Sequence, residues 1–290
     1  MGNQTRRPSA MMAFSLSICS NFYFWNTFLQ NILIISNLFN DLVIEFNNKI
    51  MENKTKKLRF DLSGYYFFGL VLLVLLGFWP SYFAKFFNGS ADFSYYFHFH
   101  AAVLILWMSL LIIQPILIRK KKLTTHRIIG KITYFIIPLI FISILLLTHS
   151  RLPHNGLLTE NDLVGTFNSA KDLVILTIAF YIAIKFRNDY QLHARGMIVT
   201  GLAFIEPAFI RFTFRTISNT TYAYLTTIFT LYAVFLYLIY RERNQKSARW
   251  VFPFILVMYM IAHTLILTDC SYLPIWRDIV KWFASLTLTT

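Results

Sequence analysis

Residues 93–118 read FSYYFHFHAAVLILWMSLLIIQPILI and contain no Asp, Glu, Lys or Arg. An α-helix rises about 1.5 Å per residue and the hydrocarbon core of a bilayer is about 30 Å thick, so about 20 apolar residues cross it. This stretch is therefore long and apolar enough to form a transmembrane helix. Similar stretches recur along the chain, and the sequence predicts an all-α, polytopic transmembrane bundle of about seven spans.

The other predicted spans are apolar runs separated by short polar loops, and together they define a membrane domain over residues 51–268. They cover residues 62–84, 132–150, about 163–184, 196–214, 216–240 and 250–268. The fourth span contains Lys171 and Asp172, and the fifth contains Glu206 and Arg211. Charged side chains inside a span are costly, and they usually face the bundle interior or water.

Composition supports a membrane protein. Hydrophobic residues make up 57% of the 290 positions and charged residues only 14%, whereas soluble domains carry about 25% charged residues. A chain of this length has no interior large enough to hide so much apolar surface, so a lipid bilayer is the expected partner. The two cysteines, Cys19 and Cys270, lie far apart in the sequence and form neither a disulfide framework nor a CxxC metal site.

The net charge of +14 is distributed over short loops, which argues against binding of nucleic acid. Lys and Arg concentrate in the loops at 119–127, 185–195 and 241–249, whereas the alternating loops at 88–92, 149–163 and 217–221 contain a single basic residue, Arg151. Positively charged loops stay in the cytoplasm. We therefore expect the basic loops to be cytoplasmic and the C-terminus to be outside.

Both ends of the chain lie beyond the seven predicted spans. Residues 269–290 form a tail in which apolar and charged residues alternate at helical spacing, which predicts an amphipathic helix at the outer membrane interface. Residues 1–50 include an uncharged run at 9–40, which is interpreted either as an extra helix or as an extension upstream of a start at Met51 instead of Met1.

Four histidines fall into two pairs of matched depth. His126 and His193 each lie just before a predicted span at the cytoplasmic interface, and His100 and His263 each lie about a turn inside the outer interface. Two neutral imidazoles at one depth on separate helices can ligate one haem iron axially. The pattern therefore predicts a haem b site at His126 and His193, with His100 and His263 as a second pair.

Arginines accompany the first pair, since Arg127 follows His126 directly and Arg195 follows His193 by two positions. Guanidinium groups bind carboxylates such as haem propionates in bidentate geometry. The alternative is that both His–Arg pairs only anchor the chain at lipid head groups.

Polar residues also align within single spans. His100, Trp107 and Gln114 are spaced seven apart and share one helix face, which indicates either a site or a hydrogen-bonded seam between helices. His193 and Arg211 are eighteen residues apart, so they align along one continuous fifth helix. Glu206 lies off that face and is expected to pair with Lys171 or with another buried cation, as a proton or cation site or as a structural ion pair, and to be protonated if it has no partner.

The motif from His98 to Gly130 resembles a family of uncharacterised bacterial multi-pass membrane proteins. The shared elements are His100 (or His98), Gln114, the basic loop 119–122, the run His-Arg-Ile-Ile-Gly at 126–130 and a second element at 193–197, within a similarity that covers about residues 97–212. The resemblance implies a bacterial inner-membrane protein without an assigned reaction. The layout is also similar to cytochrome b561-type and ferric-reductase-like haem bundles.

Three functions follow as hypotheses. The first is a haem b protein that transfers electrons. The second is a proton-coupled transporter of a small solute that uses Glu206, Arg211, Lys171 and Gln114, and the third is an accessory subunit of an unknown membrane protein. The HExxH, GxSxG and P-loop motifs are absent, and no loop is long enough for a catalytic domain outside the membrane.

Overall fold

The computed structural model describes residues 63–90, 93–153, 157–245, 247–268 and 274–289, and these belong to one compact unit. The proposed N-terminal extension and both cysteines lie outside the described residues. All regular secondary structure in the described part of the chain is helical. The prediction of an all-α bundle is therefore confirmed.

In the described part of the chain, six helical segments are long and apolar enough to cross a membrane, and a seventh helix of 17 residues is apolar but shorter. The six spans are α1 (Ser63–Phe78) with a π-helical turn (Trp79–Phe83) and α2 (Ala84–Phe87), α3 (Tyr95–Arg119), α4 (Leu123–Gly130) with α5 (Thr133–His149), α6 (Glu160–Lys185), α7 (Tyr190–Leu202) with α8 (Ile205–Thr216), and α9 (Thr220–Glu242). The shorter helix is α10 (Val251–Leu267), and α11 (Pro274–Ala284) follows it.

Large apolar side chains cover the outside of the spans. Tyr66 and Phe135 are each 75% exposed, and Phe229 is 66% exposed. Exposed apolar surface of this extent is stable against lipid but not against water. The chain is therefore an integral membrane protein.

Two large clusters of buried apolar residues hold the described spans together. One is centred on Trp107 and Ile140 and joins the first four spans, and the other is centred on Leu231 and Tyr259 and joins α6, α7, α9 and α10. The helices α6 and α7 pack closely because Gly196 lies against the backbone of α6. A Cβ atom at this glycine would lie 2.7 Å from the backbone nitrogen of Ala183.

The third span begins earlier than its predicted start at residue 132. Helix α4 already begins at Leu123, so His126 and Arg127 lie within the span and only residues 120–122 separate it from α3. The apolar side chains of Leu123, Ile128 and Ile129 interleave with the polar ones, which makes α4 amphipathic and extends the span.

The fifth span is broken, so His193 and Arg211 lie on two helices and not on one continuous helix as predicted. Helix α7 ends at Leu202 and α8 begins at Ile205. Pro207 lies in the first turn of α8, where its missing N–H is tolerated because backbone N–H groups there have no partner within the helix. The proline therefore favours a new helix start at this depth.

Helix α11 has three faces. Val280 and Ala284 are buried, and the indole Nε1 of Trp276 donates to the carbonyl of Leu163 at 3.0 Å, which fixes α11 to α6. A second face exposes Ile275, Ile279 and Trp282, and the third carries Arg277, Asp278 and Lys281. An attached helix with exposed apolar and polar faces side by side suits the membrane–water interface.

Candidate functional site

Two cavities lie between the first five spans, one towards each end of the bundle. Cavity A is the smaller, at about 210 Å³, and lies away from the basic loops; its polar lining includes His100, Arg151, Ser169, Asp172 and Arg211. Cavity B has about 1120 Å³ and lies at the basic end; its polar lining includes Gln114, His126, Arg127, Lys131, Arg187 and His193.

A packed layer separates the cavities, which share no lining residue. The first four spans contribute Leu70, Leu110, Ile136 and Phe180 to the core at this level, and the ring of Phe180 makes an edge contact with the buried indole of Trp107 at 6.1 Å between centroids. In the described part of the chain, cavities A and B thus lie towards opposite ends of the bundle, with apolar core residues between them.

Two arginines give cavity A positive charge. The Arg211 guanidinium lies 4.2 Å from the ring centroid of Phe78 and donates to the carbonyl of Pro207, and the Arg151 guanidinium lies 4.7 Å from the ring of Phe97. Burial lowers the pKa of Arg151, but arginine keeps its proton in proteins. In the described part of the chain, no carboxylate lies within 4 Å of either guanidinium.

A buried ionic cluster borders cavity A. The ammonium of Lys171 lies 2.5 Å from Oε1 of Glu206 and 3.4 Å from Oδ1 of Asp172, and the side chains of Lys171 and Glu206 are only 2% and 5% exposed. The Asp172 side chain is 25% exposed and lines cavity A. Asp172 therefore connects the ionic cluster with the cavity.

The ionic cluster extends to α9 and α10. Nε2 of His263 lies 3.2 Å from Oε2 of Glu206, and the hydroxyl of Tyr232 lies 3.1 Å from Nδ1 of the same histidine. The cluster contains one lysine cation and two carboxylates. Taking up one proton would make it electrically neutral, so its chemistry suits proton binding.

In cavity B the structure brings His126 and His193 together. Their ring centroids are 6.4 Å apart and their planes are nearly perpendicular, at 88°. Nδ1 of His193 lies 2.8 Å from the carbonyl of Ala183, which only accepts, so this nitrogen carries the proton and Nε2 keeps a free lone pair.

The side-chain amide of Gln114 determines the opposite tautomer for His126. With the amide oriented so that its oxygen accepts from the Gly130 N–H at 3.0 Å, its nitrogen donates to Nδ1 of His126 and, at 3.2 Å, to the carbonyl of the same residue. The proton of neutral His126 then lies on Nε2. The amide also bridges the two backbone groups of one turn of α4, immediately before the break between α4 and α5.

The two tautomers bear on the haem hypothesis. As they stand, His193 offers a ligating nitrogen to an iron and His126 offers an N–H donor, so the pair supplies one axial ligand rather than two. Arg127 lines the same cavity, but the buried Arg195 makes an ion pair with Glu242 at 2.7 Å. Two axial ligands would require His126 to exchange its bond with Gln114.

The structure does not bring His100 and His263 together. Nδ1 of His100 lies 3.0 Å from the hydroxyl of Ser143 at cavity A, whereas His263 belongs to the ionic cluster. Both ring nitrogens of His263 already have protein partners. His100 and His263 therefore belong to two different polar sites.

Sequence reasoning missed two polar partners, Glu242 and Tyr232. Glu242 lies seven residues after Phe235, on the buried face of α9, and it is the one acidic residue between two arginines. That spacing was a usable signal for a buried carboxylate. Tyr232 carries no such signal, because α9 contains several tyrosines and most of them are exposed or half-buried.

No protein family matches the sequence, and neither a curated protein nor a solved structure matches it.

Proposed function

We propose that the protein is a carrier that moves a small solute across the membrane together with protons. The observation that carries this proposal is the pair of cavities at opposite ends of the same five spans, separated by a packed layer with no shared lining residue. A carrier needs a site that faces one side at a time, and two cavities around one barrier supply the required geometry.

Interrupted helices at cavity A support the proposal. The break between α7 and α8 places Ala203 and Phe204 in the cavity lining, and the π-helical turn of the first span contributes Tyr82 and Phe83. Irregular backbone at membrane depth is tolerated where it lines a cavity, and interrupted helices are typical of transporter binding sites. The breaks also provide hinges about which half-spans can reorient.

The ionic cluster supplies the protons. Asp172 lines cavity A and contacts Lys171, which in turn contacts Glu206. A proton taken up by the cluster removes one negative charge next to the bound solute, so proton and solute binding influence each other. This reciprocity is the thermodynamic basis of coupled transport.

Proton flux in liposomes tests the proposal. Purified protein is reconstituted with a pH dye inside, and a panel of small carboxylates, amino acids and polyols is added outside, with protein-free liposomes to subtract passive entry of weak acids. At least one solute should acidify the lumen through the protein. Asp172→Asn leaves the Lys171–Glu206 pair in place and should abolish this flux while eluting normally in size-exclusion chromatography. Glu206→Gln should also abolish the flux, and it is compared only if it elutes as a folded protein, because it removes one partner of a buried pair.

The matched control is Asp278→Asn, which removes an exposed carboxylate on α11, away from both cavities. This variant should retain the flux. Absence of solute-driven proton entry for the whole panel, or wild-type flux in Asp172→Asn and Glu206→Gln, would refute the carrier.

A haem b protein that transfers electrons is the second candidate, and the proximity of His126 and His193 favours it. His193 has the free nitrogen for an axial bond, and Arg127 lies in the same cavity. A reduced-minus-oxidised visible spectrum of protein expressed with added haem tests this candidate. An α-band that His193→Ala removes would support haem binding, and the lack of any Soret band would eliminate it.

A further inference from the structure

Cavity A combines positive charge with an apolar wall. Its polar lining is limited to a few side chains, whereas most of the lining comes from apolar residues of the first five spans, among them Leu104, Met108 and Ile144. Binding cavities of this kind use few polar groups to fix one end of a ligand and apolar contacts for its body.

The guanidinium groups of Arg151 and Arg211 are the charged groups of cavity A that need a negatively charged partner. Arg151 and Arg211 are close enough to repel each other electrostatically, and neither has a carboxylate within 4 Å in the described part of the chain. Ring contacts with Phe97 and Phe78 hold them in place without neutralising them. Cations buried near a membrane core are normally paired, so an anion between them would satisfy both.

Asp172 is the acidic residue in the described lining of cavity A, and it does not act as the counter-charge of the two arginines. Oδ1 of Asp172 is directed to Lys171 at 3.4 Å, and Lys171 is shared with Glu206. With two arginines and one aspartate, the lining remains net positive. A neutral or cationic solute would leave this charge unbalanced.

We infer that cavity A binds a small organic carboxylate with an apolar body, held through its carboxylate by Arg211 and Arg151. The inference rests on the proposed carrier, for which it names the class of solute. A guanidinium presents a planar fork that matches a carboxylate in bidentate geometry. The volume of about 210 Å³ suits a compact ligand, since drug-sized ligands occupy pockets of about 300–1,000 Å³.

Direct binding tests the inference separately from transport. The full-length protein in detergent is titrated calorimetrically with benzoate and butyrate, and with benzamide and butyramide as neutral analogues of the same shape. Each carboxylate should bind at least about tenfold more tightly than its amide, because charge-assisted hydrogen bonds to the carboxylate are lost in the amide. Arg211→Gln and Arg151→Gln should each weaken benzoate binding by about tenfold or more.

Two further variants sharpen the test. Arg211→Lys keeps the charge but loses the fork, so it should bind benzoate with intermediate affinity. Arg243→Gln removes an arginine that lines neither cavity and should bind benzoate as tightly as wild type. Unchanged melting temperatures in the absence of ligand would show that the variants are folded.

The outcomes separate the inference from the proposed function. Equal binding of carboxylates and amides, binding that is insensitive to both Arg→Gln variants, or no binding of either carboxylate would overturn the inference, while the carrier would still be judged by proton flux. Arginine-dependent carboxylate binding without proton flux in liposomes would keep the anion site and refute the carrier.

Discussion

Within the ionic cluster next to cavity A, the Lys171–Glu206 pair is the most buried contact between opposite charges. Its two partners come from different spans. Taking both charges out of water is costly, and the cost is offset only while both partners are present. His263 is a third member of this contact, because its Nε2 lies 3.2 Å from Oε2 of Glu206. Its contribution therefore depends on neighbours on three helices.

We expect Lys171→Met to destabilise the protein by about 3–5 kcal/mol, because the carboxylate of Glu206 is left without its cation. The double variant Lys171→Met/Glu206→Gln should recover most of this loss. Thermal unfolding in detergent measures both effects. Lys281→Met, on the exposed face of α11, is the control and should change stability by less than about 0.5 kcal/mol.

Gln114 is expected to set the tautomer of His126. In the wild type, ¹⁵N NMR of labelled histidine should show the proton on Nε2 of His126 and on Nδ1 of His193. Gln114→Leu removes the amide donor and should shift the His126 signals towards the other tautomer. The signals of His98 are the control and should not change, because this histidine bonds the hydroxyl of Tyr82 and lies 16 residues before Gln114. Unchanged His126 signals in Gln114→Leu would contradict the assignment.

At this scale the sequence was informative where a residue type is unusual for its surroundings. Lys171 and Glu206 are charged residues in apolar runs, and their predicted pairing is present in the structure. The tautomers of His126 and His193 could not be predicted, because they depend on Ala183 and Gln114, which only the packing of four spans brings near them.

Among the elements, the α6–α7 hairpin has a close approach between two helix backbones. A Cβ atom at Gly196 would lie 2.8 Å from both the carbonyl oxygen of Ala179 and the Cβ of Ala183. Small residues at such crossings let transmembrane helices pack by van der Waals contact.

We therefore expect Gly196→Leu to separate the two helices and to cost at least about 1–3 kcal/mol, because neither backbone can move aside locally. Fluorescence-detected size exclusion after heating measures the loss of folded protein. Gly165→Leu is the control, since nothing lies within 4 Å of a Cβ atom at this glycine of α6. Equal stability of the two variants would show that the close approach is not required.

Helix boundaries show which elements hydropathy can predict. The second span was predicted at 93–118 and runs Tyr95–Arg119, because its ends coincide with a change from apolar to charged residues. Hydropathy missed the early start of α4 and the break after α7. Helix α4 mixes polar with apolar residues, and the break after α7 lies inside an apolar run, so hydropathy marks neither position. These irregular parts line cavity A or cavity B.

For the whole molecule, we expect the basic end to face the cytoplasm. In a variant without Cys19 and Cys270, a membrane-impermeant maleimide should label Asn88→Cys in intact cells and label Asn188→Cys only after the membrane is opened. Both positions are exposed, at opposite ends of the bundle. The reverse labelling pattern would contradict this orientation.

The attachment of α11 to α6 has a consequence for the bundle's immersion in the bilayer. If the protein moved along the membrane normal, either Ile275, Ile279 and Trp282 would become wet or Arg277 and Lys281 would enter hydrocarbon. Both displacements are unfavourable. We therefore expect the eleven residues of α11 to set the height of the protein in the lipid, and with it the depth at which cavity A lies.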